Sequence, residues 1–429
     1  MINTRSLAAM LPPHWRRAVR QKIAGLKAAK SQSTAALTQQ AFRNLRPLKM
    51  RSASSQHSGS AQPYVTMVTD SVAPGQLMGG VGTAVLLAVS IAQSQRRALR
   101  IVTRERPCDD TAIRALLVLQ GLPFDGPIDM IFSDGSDGDP GVPLGPDDMI
   151  LTTSWWGTWS TRQTVPADQI VYLLQEDERM FYVGGDQQLL CDEALHDTAI
   201  RYVVNSQLLM AHFQANDTLG PARHGVAFEP AFPASIYHPE PHDGRRNLVF
   251  YARPDHPRNL FLRGITVLDK AFAEGLFPVD EWDVHFFGVN IQHVAFPGRP
   301  IHYHNGLPWA DYASLVRKAD LGFSLMYTPH PSYPPLDLAA SGAVVVTNAF
   351  GPKGQAPHYS DNILYLPLDP ESLLDGLRQG IARVADDAGR RSAYATARLN
   401  RDWATSFAPV LASLADFAPS QHRLSQHQS

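Results

Sequence analysis

Two arginines five residues apart, Arg253 and Arg258, lie in the stretch FYARPDHPRN. The apolar run NLVFYA before them reads as a strand, and a helical pattern opens after them. Both guanidiniums therefore fall at a strand's carboxyl end beside a helix start. Planar donors next to the positive end of a helix suit a diphosphate; the plain alternative is two surface arginines matched to acids. A second stretch, LMYTPHPSYPPLDLAASGAVVVTN, runs from Leu325 to Asn348 as strand, tight turn, short helix and strand. Its turn sets His330 and Ser332 among four prolines. Ser332 is expected to cap a helix around Leu336–Ser341, which Gly342 stops. Pro334 and Pro335 suit a first turn and remove two of its free donors. The amides of Ser332, Tyr333 and Leu336, with the Ser332 hydroxyl, would then form a small rigid anion site. Asp337, one turn further, could accept a bond from a sugar hydroxyl beyond the phosphate, or serve only as a helix-dipole acid.

Three further stretches have the residue types of a carbohydrate cleft. QLMGGVGTA brings Gly79, Gly80 and Gly82 after the first strand, where backbone can approach a ligand closely. It is not a dinucleotide fingerprint, because Val85 stands at the third glycine position and the second strand ends IVTRER rather than in an acid. TTSWWGTW supplies Trp155 and Trp156, and LLQEDERMFY supplies Glu176 and Asp177. Trp rings stack on sugar faces and carboxylates take hydroxyl bonds; Glu176 to Glu178 read equally as a solvated helix start. Of the 16 histidines, His302, His304 and His330 lack the company of a zinc site, so no metal is expected.

These groups need elements to hold them at strand ends. Short runs rich in β-branched residues, among them YVTMVT, LRIVT, IDMIF, IVYLLQ and RYVVNS, alternate with helical segments from residue 64 onward. The proline-rich segment 228–246 interrupts the alternation, which then restarts. Strands alternating with helices argue parallel sheets with covered faces. Two such units facing one another would make a cleft, with ligands at the carboxyl ends of the strands. At 429 residues and 44% hydrophobic, the chain is long enough for two globular cores. The expected divisions are a basic helical arm and linker (1–62), an acceptor domain (63–235), a donor domain (236–390), and a C-terminal segment (391–429) whose helix packs back on the first domain. Residues 1–51 contain 11 Lys and Arg and no acid, although the whole chain is at −2. HWRRAVRQKIAGLKAAK has helical spacing and could lie on an anionic membrane face, stay solvated, or attract nucleic acid. Two cysteines make neither a disulfide framework nor a Cys-rich zinc site. No apolar run reaches the roughly 18–20 residues that span a bilayer, and the first residues lack a secretory signal's apolar region.

YARPDHPRNLFLRGITVLDKAF, LMYTPHPSYPPLDLAASGAVVVTN, SWW and LLQEDERMFY together resemble the GT-B glycosyltransferases, most closely the bacterial rhamnosyltransferases of surface-layer and O-antigen glycans. The likeness spans roughly residues 64–386. In the wider retaining family a Glu-x7-Glu motif reads EGFGLPLLE; here its second acid falls on Asp337, while Pro329 stands at the first. The family's Arg and Lys, five apart, fall on Arg253 and Arg258. The rhamnosyltransferases' basic residue before DYA has no lysine counterpart in HNGLPWADYA, though Arg299 lies upstream. The resemblance implies two Rossmann-like parallel-sheet domains facing a cleft, retention of configuration, and no metal or cofactor. It implies a nucleotide-sugar co-substrate, dTDP-rhamnose, held by Arg253, Arg258, Gly288, His330, Ser332, Tyr333 and Asp337, with Asp337 on the ribose. The acceptor side would be Gly79, Gly80, Gly82, Trp155, Trp156, Glu176 and Asp177, and no protein nucleophile is named. The acceptor would be a glycan or lipid-linked glycan of O-antigen, capsule or surface-layer type. The place would be the cytoplasm, at the inner face of the inner membrane through residues 1–51, with no nucleic-acid partner. Transfer from another nucleotide sugar, a GT-B nucleotide-sugar epimerase, and a non-catalytic glycan binder are the alternatives; a dinucleotide oxidoreductase would need the missing glycine fingerprint.

Overall fold

The structure, a computed structural model, describes residues 55–57, 62–77, 79–136, 138–242, 244–355 and 359–417. The basic arm expected over residues 1–51 lies outside them. All described residues fall within one compact unit, Ser52–Ser429.

The first part of this unit holds β1 (Ser55–His57), β2 (Tyr64–Thr69), β3 (Ala98–Thr103), β4 (Ile128–Phe132), β5 (Val142–Leu144), β6 (Met149–Thr152), β7 (Ile170–Leu174), β8 (Arg201–Asn205) and β9 (Gly225–Phe228). The second holds β10 (Arg246–Ala252), β11 (Trp282–Gly288), β12 (His302–Asn305), β13 (Leu321–Phe323), β14 (Val344–Asn348) and β15 (Ile363–Leu366). Seven strands form one sheet in the order β4-β3-β2-β6-β7-β8-β9, six form another in the order β12-β11-β10-β13-β14-β15, and β1 pairs with β5. Pairing is parallel throughout both large sheets, from Val65 opposite Leu99 to Val346 opposite Leu364. The central strands are buried on both faces, IVYLL and VVVTN along their whole length. Continuous apolar, β-branched runs are what a sheet covered on both sides demands.

Each sheet changes direction once. The chain runs β2, β3, β4 to one edge and then returns to place β6 on the other side of β2; it repeats the move from β12 to β13 across β10. These two reversals open a crevice beyond the strand ends, where no crossover connection covers the sheet. The loops after β2, β6, β10 and β13 therefore border the crevice in which open α/β sheets bind ligands.

The helices close the faces. They are α1 (Gly80–Gln95), α2 (Thr111–Leu119), α3 (Trp155–Arg162), α4 (Asp186–His196), α5 (Gln207–Ala215), α6 (Leu219–His224), α7 (Phe261–Ala273), α8 (Trp309–Arg317), α9 (Tyr333–Ala340), α10 (Pro370–Ala385), α11 (Asp387–Ala395) and α12 (Trp403–Ser413). Helix α1 is buried from Gly82 to Ala92. Its AVLLAV run is apolar on every side because it lies between the seven-stranded sheet and α12. Helix α12 begins at Asp402, whose carboxylate accepts from Thr405 N at 2.7 Å, and ends the described chain against the first sheet. Phe407 stacks on Trp403 and meets Phe228 edge-on, with centroids 5.0 and 5.1 Å apart. Burying each such ring is worth about 1.5–3 kcal/mol.

The chain thus crosses between the sheets twice, after β9 and before α12. The two crossings are tied to one another. Ala231 bridges Asn400, Phe232 N donates to the Asn400 carbonyl at 2.8 Å, and Arg401 reaches the carbonyls of Phe232, Tyr237 and Ala340 at 3.1–3.3 Å.

Candidate functional site

Strand β10 ends at Ala252, and Arg253 is the next residue. A turn follows that carries Arg258 and ends on Leu260 in the left-handed region (φ 52°) before α7 starts. The Nε–H groups of Arg253 and Arg258 are buried without a hydrogen-bond partner. The Arg258 guanidinium lies 4.1 Å over the ring of Phe181, which comes from the other half of the molecule. Burial and the two guanidiniums hold His256 between them at a pKa of about 4, so it adds no charge.

The turn after β13 faces this pair. Met326, three residues past the end of β13, is clamped by the last residue of β14 and by Lys353 beyond it. Asn348 Oδ1 accepts from Met326 N at 2.7 Å, and Asn348 Nδ2 and Lys353 Nζ donate to the Met326 carbonyl at 3.0 and 2.7 Å. Thr328 N donates to the same oxygen at 2.9 Å. The Thr328 hydroxyl donates to Glu176 Oε2 across the cleft and accepts from His330 N at 3.3 Å. Ser332 N donates to His330 Nδ1 at 3.0 Å, and His330 Nε2 is buried with no partner. Ser332 has φ 70°, a conformation few side chains adopt without such tethers. Ser332 stands at the N-cap without a side-chain cap bond, and its amide is spent on His330. The anion site expected from three free amides and the Ser332 hydroxyl thereby loses one of those donors, the Ser332 amide.

Tyr333, the first residue of α9, reaches into the other half. Its hydroxyl is 2.5 Å from Thr83 Oγ1 and accepts from Asn205 Nδ2 at 2.8 Å. Gly79, at φ 59°, lies under this ring. Gly80 packs on Gln175, whose Nε2 donates to the Gly80 carbonyl at 2.6 Å. A Cβ on Gly82 would stand 2.4 Å from the Leu77 carbonyl. The glycine loop is thus closed against protein. Gly288 is likewise a packing residue, since a Cβ there would lie 1.8 Å from the Ala252 carbonyl.

The aromatic and acidic set on the first sheet is corrected in part. Trp155 is 1% exposed and its indole donates to Tyr182 at 2.8 Å, so it offers no stacking face. Trp156 is half-buried with its indole on Asp70 at 2.9 Å. Asp177 is enclosed by a two-pronged pair with Arg179 at 2.8 Å and by His212 at 3.0 Å. Burial opposes its charge, but His212 and Arg179 outweigh that and hold its pKa at about 2. Glu178 accepts from Trp155 N at the start of α3, and burial pushes its pKa up to about 8. Of the four residues expected on the acceptor side here, Glu176 alone reaches across the cleft, where burial raises its pKa against the pull of Arg258, Thr328 and Lys353.

Asp337 is 4% exposed. Its Oδ2 accepts from the Tyr312 hydroxyl at 2.5 Å, while Oδ1 is buried without a partner. Burial lifts its pKa to about 7, against the hydroxyls of Tyr312 and Tyr237. The carboxyl is therefore held by Tyr312 through Oδ2 and keeps Oδ1 buried and unmet.

Lys353 is a site residue that sequence reasoning missed. It is fully buried, and burial draws its pKa down to about 7 with Glu176 as its counter-charge. Its signal was position: it is the one Lys or Arg between Lys318 and Arg378, in a Gly/Pro loop just past a strand. Thr328, Phe181, Thr83 and Asn205 carried no such mark.

Two parallel-sheet halves with strand ends turned to a shared cleft are the GT-B architecture, and solved structures agree. The chain superposes on the Anabaena protein HepE in complex with UDP-glucose at a TM-score of 0.58, with 16% identity over 82% of this chain and 99% of that one. It superposes on sucrose-phosphate synthase from Thermosynechococcus elongatus at 0.56, with 13% identity over 82% and 98%. Residues 246–378, which hold Arg253, Arg258, His330, Asp337 and Lys353, match the family described as WsaF, C-terminal domain. The O-antigen biosynthesis protein RfbC of Myxococcus xanthus is 28% identical over 247 residues, 56% of this chain. The aligned part is 18% of RfbC, so the chain spans under a fifth of that relative. Among the described residues no helix is long and apolar enough to cross a membrane.

Proposed function

We propose that this chain is a glycosyltransferase that moves a sugar from a nucleoside diphosphate onto a growing O-antigen-type polysaccharide. One observation carries the reading. Arg253 Nε, Arg258 Nε and His330 Nε2 are buried donors without acceptors, on the two loops that flank the β10/β13 reversal. A buried N–H left unmade costs about 1–3 kcal/mol, so three in one crevice call for a ligand rich in acceptors. A sugar diphosphate supplies those oxygens, and its charge grows on the leaving diphosphate as the glycosidic bond breaks. Fixed donors aimed there stabilise the transition state more than the ground state. Asp337 Oδ1 is the acceptor left for a ribose hydroxyl. Glu176, held by Thr328 where the halves meet, is the carboxylate for an acceptor hydroxyl.

The similarity to RfbC and to the WsaF family supports a surface-polysaccharide acceptor, and HepE was solved with UDP-glucose. The finer reading is rhamnose from dTDP-rhamnose, transferred with retention and without metal or cofactor, on the cytoplasmic membrane face through the basic segment 1–51. It rests on the resemblance of the two long motifs around Arg253 and Asp337.

The test is transfer from dTDP-rhamnose, UDP-glucose and other nucleotide sugars to lipid-linked glycan acceptors, followed by mass spectrometry. Sugar is expected to appear on the acceptor only when both substrates are present, and Arg253→Ala should lose at least tenfold. Conversion of the nucleotide sugar without acceptor would make the protein an epimerase, and failure to bind any nucleoside diphosphate would end the proposal.

A further inference from the structure

We propose that His330 contacts the donor's diphosphate as a neutral imidazole, donating one hydrogen bond from Nε2 to a phosphate oxygen and keeping its proton throughout. The inference rests on the glycosyl-donor reading above and adds the chemical state and role of one residue. Ser332 N donates to His330 Nδ1 at 3.0 Å, so Nδ1 presents its lone pair inward. A neutral ring with an accepting Nδ1 must carry its proton on Nε2. That nitrogen is buried and finds no acceptor in the protein, while the whole residue is 3% exposed. The tautomer is thus set from behind by a main-chain amide, and its donor points at nothing the chain provides.

The surroundings select what it meets. Lys353 and Arg258 are the charges that act on the ring, and the Tyr333 ring lies 5.9 Å away. A site bordered by two cations and holding an unused N–H attracts an oxyanion and rejects a third positive charge. Burial first, and then Lys353 and Arg258, hold the His330 pKa at about 3, so imidazolium does not form at neutral pH. A neutral imidazole N–H is a weak acid, so His330 polarises the leaving oxygen without protonating it. The turn keeps the ring in place through Thr328, whose hydroxyl accepts from His330 N, and through the clamp of Asn348 and Lys353 on Met326. Lys353 acts through that clamp and through its charge; it is a positioning residue.

The experiment uses the full chain labelled with 15N-histidine, with the His330 signals identified by their loss in His330→Gln. Between pH 6 and 8 the free protein should show the Nε2–H tautomer. Adding inorganic pyrophosphate, and separately UDP and dTDP, should move the Nε2 proton downfield while Nδ1 stays unprotonated. In calorimetry His330→Ala should weaken pyrophosphate binding at least tenfold, and His330→Gln, whose amide nitrogen falls near Nε2, should recover part of the loss. An Nδ1–H tautomer, or an imidazolium on binding, overturns the proposal whatever the variants' affinities. Pyrophosphate binding with an unmoved His330 signal overturns it while leaving the diphosphate site standing. Absence of binding heat with all three probes overturns the donor reading as well.

Discussion

The two halves treat their strand-end polar groups in opposite ways. At the ends of β6 and β7, Trp155 bonds Tyr182, Trp156 bonds Asp70, Asp177 pairs with Arg179, and Glu178 caps α3. In the loops after β10 and β13 and in α9, the Nε atoms of Arg253 and Arg258, His330 Nε2 and Asp337 Oδ1 are buried with nothing to bond. Both sheets have the same architecture, and both crevices collect polar residues. At β6 and β7 the first half uses most of them to hold its own loops, with Glu176 crossing to Thr328 and Asn205 Oδ1 at the end of β8 left unmet; the second leaves several in one crevice. Polar composition at a strand end is therefore weak evidence of a site, whereas an unmet buried donor is stronger.

The contrast can be broken by mutation on each side. Asp177→Ala should unfold rather than inactivate. It strips a buried charge pair and leaves Arg179 with only Asp192 and Thr218, a loss of up to about 3–5 kcal/mol. A thermal midpoint lower by on the order of 10 °C is expected, with donor affinity of the folded fraction unchanged. Selective loss of donor binding would move Asp177 into the site. Arg258→Ala should do the reverse. A charge-assisted bond to a ligand is worth about 1.5–3 kcal/mol, so nucleoside diphosphate affinity should fall ten- to hundredfold. The midpoint should stay within a few degrees, because the Nε has no protein partner to lose. A large drop in midpoint with intact affinity would show that Arg258 serves the fold through Phe181.

The smallest effect sharpens the comparison through pH. The Asp337 pKa is about 7 folded, against about 3.9 in an unfolded chain. Between those values the folded state binds more protons than the unfolded one, so stability falls as pH rises from 4 to 7. Asp337→Asn removes that proton and should flatten the slope, by at most about 1.4 kcal/mol per pH unit. Urea unfolding at pH 5, 6, 7 and 8 measures it; equal slopes in both proteins would mean Asp337 is ionised in the fold.

Much of this was legible in the sequence, for physical reasons. Uniformly apolar β-branched runs separated by helices point to covered parallel sheets, and the structure has two. Arg253 follows β10 directly because the run NLVFYA ends there, and its place could be read by eye. Other features depend on contacts between distant residues. Tyr333 meets Thr83 across 250 positions, and Thr328 meets Glu176 across 152. Nothing local marks Trp155 as buried or Asp177 as already paired. The proline-rich turn was read as a frame for main-chain amides, yet Ser332 N turns back onto His330. His330 stood out by its place among the prolines, but nothing local showed that its Nε2 would be left buried and unmet.

The paired crossings between the halves have a mechanical consequence. One connecting strand would let the halves swivel freely. Two segments tied together by Ala231, Asn400 and Arg401 restrain that freedom. Any opening of the cleft then also has to break the bonds that cross it. Tyr333 leaves its berth on Thr83 and Asn205 in the same stroke that parts Thr328 from Glu176. The turn that carries His330 is the same one that carries Thr328 and leads into Tyr333, so access to it and the engagement of the two halves are coupled.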